Sequence, residues 1–505
     1  MFQKDYDKLQ QIANKISDIN SAIFLLEWDQ QTNMPQEGAA ERAEQIGTLS
    51  TISHQEATSN QLGNLLDKLS NFQKDLDPES YEFCLIKVMQ RDYEQKTKIP
   101  ADLIGRFSQA TAIGQHKWER ARHENEFNIF EESLSEIFEL RKQMAKCHSP
   151  FDCIYDPLLD EFEPEMATKT VQDIFNIIKP QQIALIQKIQ EDYKRNPIDD
   201  SFLFQNFDEK KQWDFGVKVL TDMGYDWKSG RQDKAAHPFT TTFGLGDVRI
   251  TTRIHSNNFM SGLFSSIHEG GHALYEQGVA RNLQRTSLGT GASLAIHESQ
   301  SRLWENMVGR SLSFWHHYYP ILQAIFPSQL GNVSINNFYR AINKVEPSLI
   351  RVEADEVTYN LHIMLRLELE IALLNGEIQV SDLPDVWNCK MQEYLGVTPD
   401  SDANGVLQDV HWSCGIIGYF PTYALGNMIS AMFFDKAKSS LDNLDAKISQ
   451  GNLLPLRNYL KETLHCHGAK FTPNELMKKI FNSKIDESFY INYLSNKYEE
   501  INSMI

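Results

Sequence analysis

Apolar side chains recur at i, i+3 and i+4, with charges between them, over residues 6–33, 78–97, 128–147, 170–194, 350–375 and 455–466. That period predicts amphipathic helices whose polar faces are solvated. One stretch breaks the pattern: His237 to Arg253 reads HPFTTTFGLGDVRITTR, a Thr/Phe run, a glycine turn at Gly244–Gly246, then alternating Val248, Arg249, Ile250 and Thr251. This predicts a strand, a turn and a second strand. Breaks fall at Asn196–Asp200 and at Lys228–Arg231. No repeat of fixed period and no low-complexity tract is visible. Trp412 to Phe434 carries no charged residue, yet Gly415, Gly418, Pro421, Thr422 and Asn427 interrupt it. It reads as buried loop and helix, not as a membrane span. The expected fold class is mainly α, with a small β-sheet immediately before the segment 262–278.

Composition narrows the picture. At 505 residues the chain exceeds one simple core, so one large helical body or two lobes is expected. We read residues 1–505 as a single domain: an N-terminal helical region to residue 230, a middle region over 231–430 that carries the candidate chemistry, and C-terminal helices from 431. A hydrophobic fraction of 41% with 11% aromatics excludes a disordered chain. With 49 Lys+Arg against 68 Asp+Glu the formal net charge is −19, which argues against nucleic-acid or anionic-membrane partners. The 6 cysteines show no CxxC spacing, so neither a disulfide framework nor a zinc ribbon is indicated. The charged N-terminus does not resemble a secretory signal, and a cytoplasmic location is expected.

The chemistry concentrates in residues 262–278, GLFSSIHEGGHALYEQG. On a helix His268 and His272 lie four apart on one face and can reach a single ion, while Glu269 can address a water beside it. Neutral imidazoles hold zinc without quenching its Lewis acidity, and the carboxylate takes the proton as water attacks a carbonyl. Gly270 and Gly271 each cost up to about 1 kcal/mol inside a helix, so a close approach there would explain both. A third ligand should follow on another element. SLAIHESQSRLWENMV, residues 293–308, predicts a helix from Ser293 to Gly309 carrying Glu298 and its neighbour His297. Neighbours on a helix point about 100° apart, so one of the two faces the ion. Glu298 completes a two-His, one-Glu hydrolytic site, and its alternative is an i, i+4 pair with Arg302 on a surface helix.

Here the sequence resembles the carboxypeptidase Taq family of zinc metallocarboxypeptidases. The resemblance is carried in order by Trp28–Pro35, His237-Pro238-Phe239 (HPF), Asp247–Thr251 (DxRxT), His268–His272 (HExxH), His297–Gln300 (HESQ), Ile350–Asp355 (IRxxAD) and Gly405–Trp412 (GxxQDxHW). It implies a largely helical body with a deep central groove, similar in shape to angiotensin-converting enzyme and the thimet-type oligopeptidases. The implied activity is release of single residues from the free C-termini of peptides, with broad specificity and poor acceptance of proline. It also implies a homodimer holding one zinc per chain, with cobalt able to substitute. By position, His268, His272 and Glu298 become the ligands and Glu269 the general base.

The other motifs fit such an enzyme. A free carboxylate is best recognised by a bidentate arginine. Arg351, in the IRxxAD motif, is the first candidate, against an i, i+4 pair with Asp355. Arg249 is the second and Arg302 the third. The strand ending at Asp247–Arg253 is expected to pair with substrate backbone, since extended peptides add to open sheet edges. His237 either donates to substrate or is structural. A developing oxyanion needs a neutral or cationic donor, for which His411 and one of Tyr423 and Tyr419 are suited, Tyr423 being preferred for catalysis and Tyr419 for substrate contact. Gln408, beside His411, is expected to contact substrate. His465-Cys466-His467 reads as structural.

Three rival readings compete. A di-iron bundle would use Glu269-x-x-His272 and Glu462-x-x-His465. A scaffold with structural metal would need a fourth ligand. An endo-acting oligopeptidase of the same architecture would lack the carboxylate-binding arginine.

Overall fold

A computed structural model describes residues 2–504. It is mainly α-helical with one small sheet, as expected. The chain forms two compact units, each assembled from three stretches: one from residues up to 97, 199–342 and 430–484, the other from 98–198, 343–429 and 485 onward.

In the first unit, a long helix (Phe2–Thr32) lies with helices Asn60–Gln73 and Tyr81–Thr97. Leu62, Leu65, Leu66 and Leu69, at helical spacing, bury against Tyr6, Leu9, Leu85 and Met89. Ser59 starts the second of these helices by accepting the N–H of Leu62.

The sheet has three strands, one more than the sequence pattern predicts: β1 (Gly230–Lys234), β2 (Thr240–Gly244) and β3 (Asp247–Thr252). β1 is Gly-Arg-Gln-Asp-Lys, without apolar alternation, so no period-2 signal marks it. Its backbone is recruited by parallel pairing with β3, Gly230 opposite Val248 and Lys234 opposite Thr252. β2 pairs antiparallel on the other side, Thr240 opposite Ile250. The order β1-β3-β2 corrects one expectation. β3 is the central strand with both edges paired, so it has no edge to offer a peptide.

Two helices of this unit carry the HExxH and HESQ motifs. The first, Phe259–Gly278, starts at Asn258, whose side chain accepts the N–H of Ser261. The second, Leu294–Arg302, is capped by Ser293 as predicted, then widens into a π-helical turn, Leu303–Gly309. The helices cross closely: a Cβ on Gly271 would lie 2.6 Å from Ser301 Cα and 2.7 Å from the Gln300 carbonyl. A Cβ on Gly270 would meet Leu220 at 2.4 Å. The two glycines are tolerated because backbone and side chains fill the space a β-carbon would need.

In the second unit the helix expected over 350–375 begins at Tyr359, after a single 3-10 turn at Arg351–Glu353. Asp355 sets this start. Its carboxylate accepts the N–H groups of Val357, Thr358 and Glu346 and the Thr358 hydroxyl. It is therefore committed to backbone, and Arg351 pairs elsewhere. The uncharged stretch resolves into turns followed by a helix, Pro421–Ser440.

Gly271→Ala places its methyl against backbone and not a movable side chain, so it should cost about 1–3 kcal/mol. Thermal unfolding should show this loss, while alanine at exposed Gly47, whose Cβ would meet nothing within 4 Å, should leave stability unchanged or raise it slightly.

Candidate metal centre and active site

His268, His272 and Glu298 converge, their ligand atoms all within 4.8 Å of one another. Glu298 Oε2 lies 3.6 Å from His268 Nε2 and 3.4 Å from His272 Nε2. The pair with Arg302 is present as well: Arg302 Nε donates to Glu298 Oε1 at 2.6 Å. Both readings of Glu298 therefore hold at once, one oxygen on the guanidinium and the other toward the imidazoles. The helix is not a surface one, since Glu298 is only 6% exposed. Two imidazoles and one carboxylate, with no fourth His, Cys, Asp or Glu in the group among the described residues, suit zinc with an open position.

Each of these groups is held from behind. His268 Nδ1 faces Glu305 Oε2 at 2.9 Å, and that carboxylate also accepts Arg302 Nη1 at 3.1 Å. Arg310 lies 3.7 Å from its other oxygen. Glu305 sits on the π-helical turn, a geometry frequent at functional sites. His272 Nδ1 faces His297 Nδ1 at 2.6 Å. The Thr240 hydroxyl, from β2, donates to Glu269 Oε2 at 2.7 Å and leaves Oε1 for another partner.

Electrostatics follow from this arrangement. Burial would raise Glu298, but Arg302 and the two imidazoles hold it well below the usual carboxylate range. Burial likewise opposes Glu305, yet Arg302 and His268 bring it down to about 2. Burial drives His272 down to about 3, keeping it neutral. For His268 the burial penalty is outweighed by Glu298 and Glu305, which raise it. Glu269 is raised, chiefly by burial.

Two predicted substrate residues lie on or near the sheet. Arg249 donates through Nε and Nη2 to Asp247, both at 2.8 Å, and stacks 4.4 Å from the Trp28 ring and 4.8 Å from that of Phe243. His237 lies exposed in the bend before Pro238.

The second unit gathers Arg351, Gln408, His411, Tyr419 and Tyr423. Arg351 donates to Asp409 Oδ1 through Nε (3.1 Å) and Nη2 (2.8 Å), and to the Tyr359 hydroxyl through Nη1 (2.9 Å). Asp409 also accepts Arg366 Nε at 2.7 Å, so one carboxylate lies between two buried guanidiniums. Gln408 Oε1 accepts the Arg351 backbone N–H at 2.9 Å. The Arg351 guanidinium lies 4.9 Å from the Tyr423 ring, and His411 Nε2 is 3.4 Å from the Tyr423 hydroxyl. The rings of Tyr419 and Tyr423 are 5.2 Å apart, and that of Tyr419 is 5.4 Å from His411. Burial lowers His411 to about 4, so it is neutral near pH 7.

The family described as carboxypeptidase Taq (M32) metallopeptidase matches residues 8–498. The chain belongs to the carboxypeptidase Taq family. It is a metal-dependent carboxypeptidase, a hydrolase. Carboxypeptidase 1 of Bacillus subtilis is 38% identical over 490 residues, spanning 97% of each chain. Thermostable carboxypeptidase 1 of Thermus thermophilus is 39% identical, spanning 98% of each. The crystal structure of an M32 carboxypeptidase from Deinococcus radiodurans superposes with a TM-score of 0.96 at 37% identity, covering 99% of this chain and 100% of that one.

In this carboxypeptidase Taq member the second motif of the di-iron reading is absent from the metal group: His465 is buried, with Nε2 on Gln300 Oε1 at 2.9 Å. Cys466 donates to the Glu462 carbonyl. No helix among the described residues is long and apolar enough to cross a membrane. Sequence reasoning missed Thr240, Glu276, Glu305 and Glu370. Glu305 had a signal, seven residues beyond Glu298 on one helix face. Thr240 and Glu370 had none, because their partners lie far along the chain.

Glu370 anchors the loop that carries His411. Its carboxylate accepts Trp412 Nε1 at 2.8 Å, the Tyr155 hydroxyl at 2.6 Å and the Gly418 N–H at 3.2 Å. Burial raises it from 4.5 to about 7. The unfolded chain releases this proton near pH 4.5 while the folded one retains it, so the stabilisation is complete below that pH and lost as pH rises through 7. The window amounts to on the order of 3 kcal/mol. Unfolding followed from pH 5 to 8 should therefore show a shallower fall in stability for Glu370→Gln than for the wild type.

Proposed function

We propose that the chain is a zinc carboxypeptidase of broad specificity, poor on proline, with Glu269 as general base. The observation that carries this reading is the convergence of His268, His272 and Glu298 beside a Glu269 whose Oε2 is tied to Thr240. When bound through those three residues, zinc supplies Lewis acidity at the scissile carbonyl and lowers the pKa of a water enough for attack near neutral pH.

Glu269 takes the proton of that water on Oε1, the oxygen Thr240 leaves open, and later delivers it to the departing amine. Its burial favours the uptake. His411 and Tyr423 are assigned as donors to the developing oxyanion; a neutral His411 retains an N–H for this. Arg351 is assigned to the substrate C-terminal carboxylate. Three of its five N–H groups are engaged, which orients the planar fork and leaves two for the substrate. Gln408 positions Arg351 through its backbone, and Tyr419 lines the substrate side of His411. His237 and Arg249 remain proposed contacts; Arg249, already bonded to Asp247, would act through its unengaged N–H groups.

Substrate backbone, if it adds to the sheet, must use an edge strand. β2 is our choice because Thr240 on it already touches Glu269. We further propose one zinc per chain with cobalt able to substitute and a homodimer, both resting on the family resemblance, together with a cytoplasmic location.

A blocked peptide with a free C-terminus should lose single residues stepwise, its C-terminally amidated twin should stay intact, and chelation should abolish the reaction, as read by mass spectrometry. Internal cleavage of both peptides would make the enzyme an oligopeptidase and remove Arg351 from its role. Glu269→Gln should retain zinc and lose at least about a hundredfold in kcat; near-normal turnover with zinc bound would remove Glu269 as the base.

A further inference from the structure

His297 is not in the metal group, although it adjoins Glu298. Its ring stands behind His272, with the two Nδ1 atoms 2.6 Å apart. Its Nε2 lies 2.8 Å from Glu276 Oε1. Glu276 is buried, 4% exposed, and the same oxygen lies within reach of the Gly291 N–H (3.3 Å) and the Thr290 hydroxyl (3.2 Å). The ring is confined sideways as well. Tyr275 lies 5.0 Å from it, and a Cβ on Gly291 would come within 2.7 Å of its Cδ2.

Proton counting then fixes the tautomers. Glu276 Oε1 already accepts the Gly291 N–H, so it serves as an acceptor toward His297, whose Nε2 carries the hydrogen. In neutral His297, Nδ1 is then a lone pair, which requires the hydrogen between the rings to belong to His272 Nδ1. That leaves the lone pair of His272 on Nε2, the atom facing Glu298 Oε2. The other ligand is held differently: His268 Nδ1 meets the carboxylate of Glu305 directly. One imidazole is held by a carboxylate directly and the other through a second imidazole, which sets its carboxylate one ring further from the site.

We infer that His297 and Glu276 are positioning residues that hold His272 in its metal-binding tautomer, and that they thereby set how tightly the metal is retained. The inference rests on the reading of His268, His272 and Glu298 as the ligands.

The test is zinc affinity of the full-length protein, measured by competition with a chromogenic chelator, alongside unfolding of the metal-free protein. His297→Phe keeps the ring volume against Tyr275 but cannot accept the hydrogen, and should bind zinc 10–100-fold more weakly. His297→Asn can place Oδ1 near the former Nδ1 and should recover most of that loss. Glu298→Ala serves as the control. If it leaves zinc affinity intact, the ligand reading itself falls. If it releases zinc while His297→Phe binds within twofold of wild type, only the relay is overturned. Should His297→Phe not fold, imidazole nitrogen shifts of the metal-free wild type decide. A pyrrole-like Nδ1 on His272 with a pyridine-like Nδ1 on His297 supports the relay, and the reverse pair refutes it.

Discussion

Glu298 meets the two imidazoles because its helix crosses the HExxH helix at the separation that Gly271 permits. Helices bearing ordinary side chains at their contact lie 8–10 Å apart. Here the backbone of Gln300 and Ser301 occupies the space where a β-carbon of residue 271 would stand. Much of the metal centre depends on this crossing. It delivers Oε2 of Glu298 to the imidazoles, presents Glu305 to the back of His268, and sets His297 behind His272. The helical cost of two consecutive glycines is thus exchanged for the approach of a third candidate ligand and of two groups behind the imidazoles.

The charges at this site are organised as pairs, and not as a general negative field. Glu298 and Glu305 are both buried and both ionised, which is sustainable because Arg302 bonds one oxygen of each. Glu269 has no such cation. Among the described residues its side chain is hydrogen-bonded by a hydroxyl, that of Thr240, and burial raises its affinity for a proton. Neighbouring carboxylates thus differ through their partners: the paired ones are held as anions, and burial favours the protonated form of the other. In the second unit Asp409 lies between Arg351 and Arg366, so the net charge of that trio is positive. This suits binding of an anionic group.

Several elements were legible in the chain because their signals are local. The helix starts at Ser293, the ligand pair at i, i+4, and the strand-turn-strand before the metal helix all follow from short-range spacing. The cluster of Arg351, Gln408, His411, Tyr419 and Tyr423 was also anticipated, though from motif resemblance and not from periodicity. Two misreadings have a common cause. β1 is polar and exists by long-range parallel pairing, and β3 was taken for an edge although it is central. Sheet order is decided by contacts between distant segments, on which a single strand's pattern is silent. The helix expected from residue 350 failed for a local reason, the capture of four donors by Asp355.

The sequence by itself determined the candidate chemistry: a two-histidine helix, a carboxylate on the next helix as third candidate ligand, a glutamate beside the first histidine, and an acidic, mainly helical chain around them. Residue type and helical period suffice for that, since donor atoms and their angular spacing are properties of the local chain. Only the tertiary structure decided which groups stand behind the ligands. Thr240 reaches Glu269 from a strand, Glu305 reaches His268 from a widened turn, and Glu276 reaches His297 from another helix. Hydrogen bonds act over about 3 Å, and no sequence spacing encodes a distance between segments that meet only when the chain has folded.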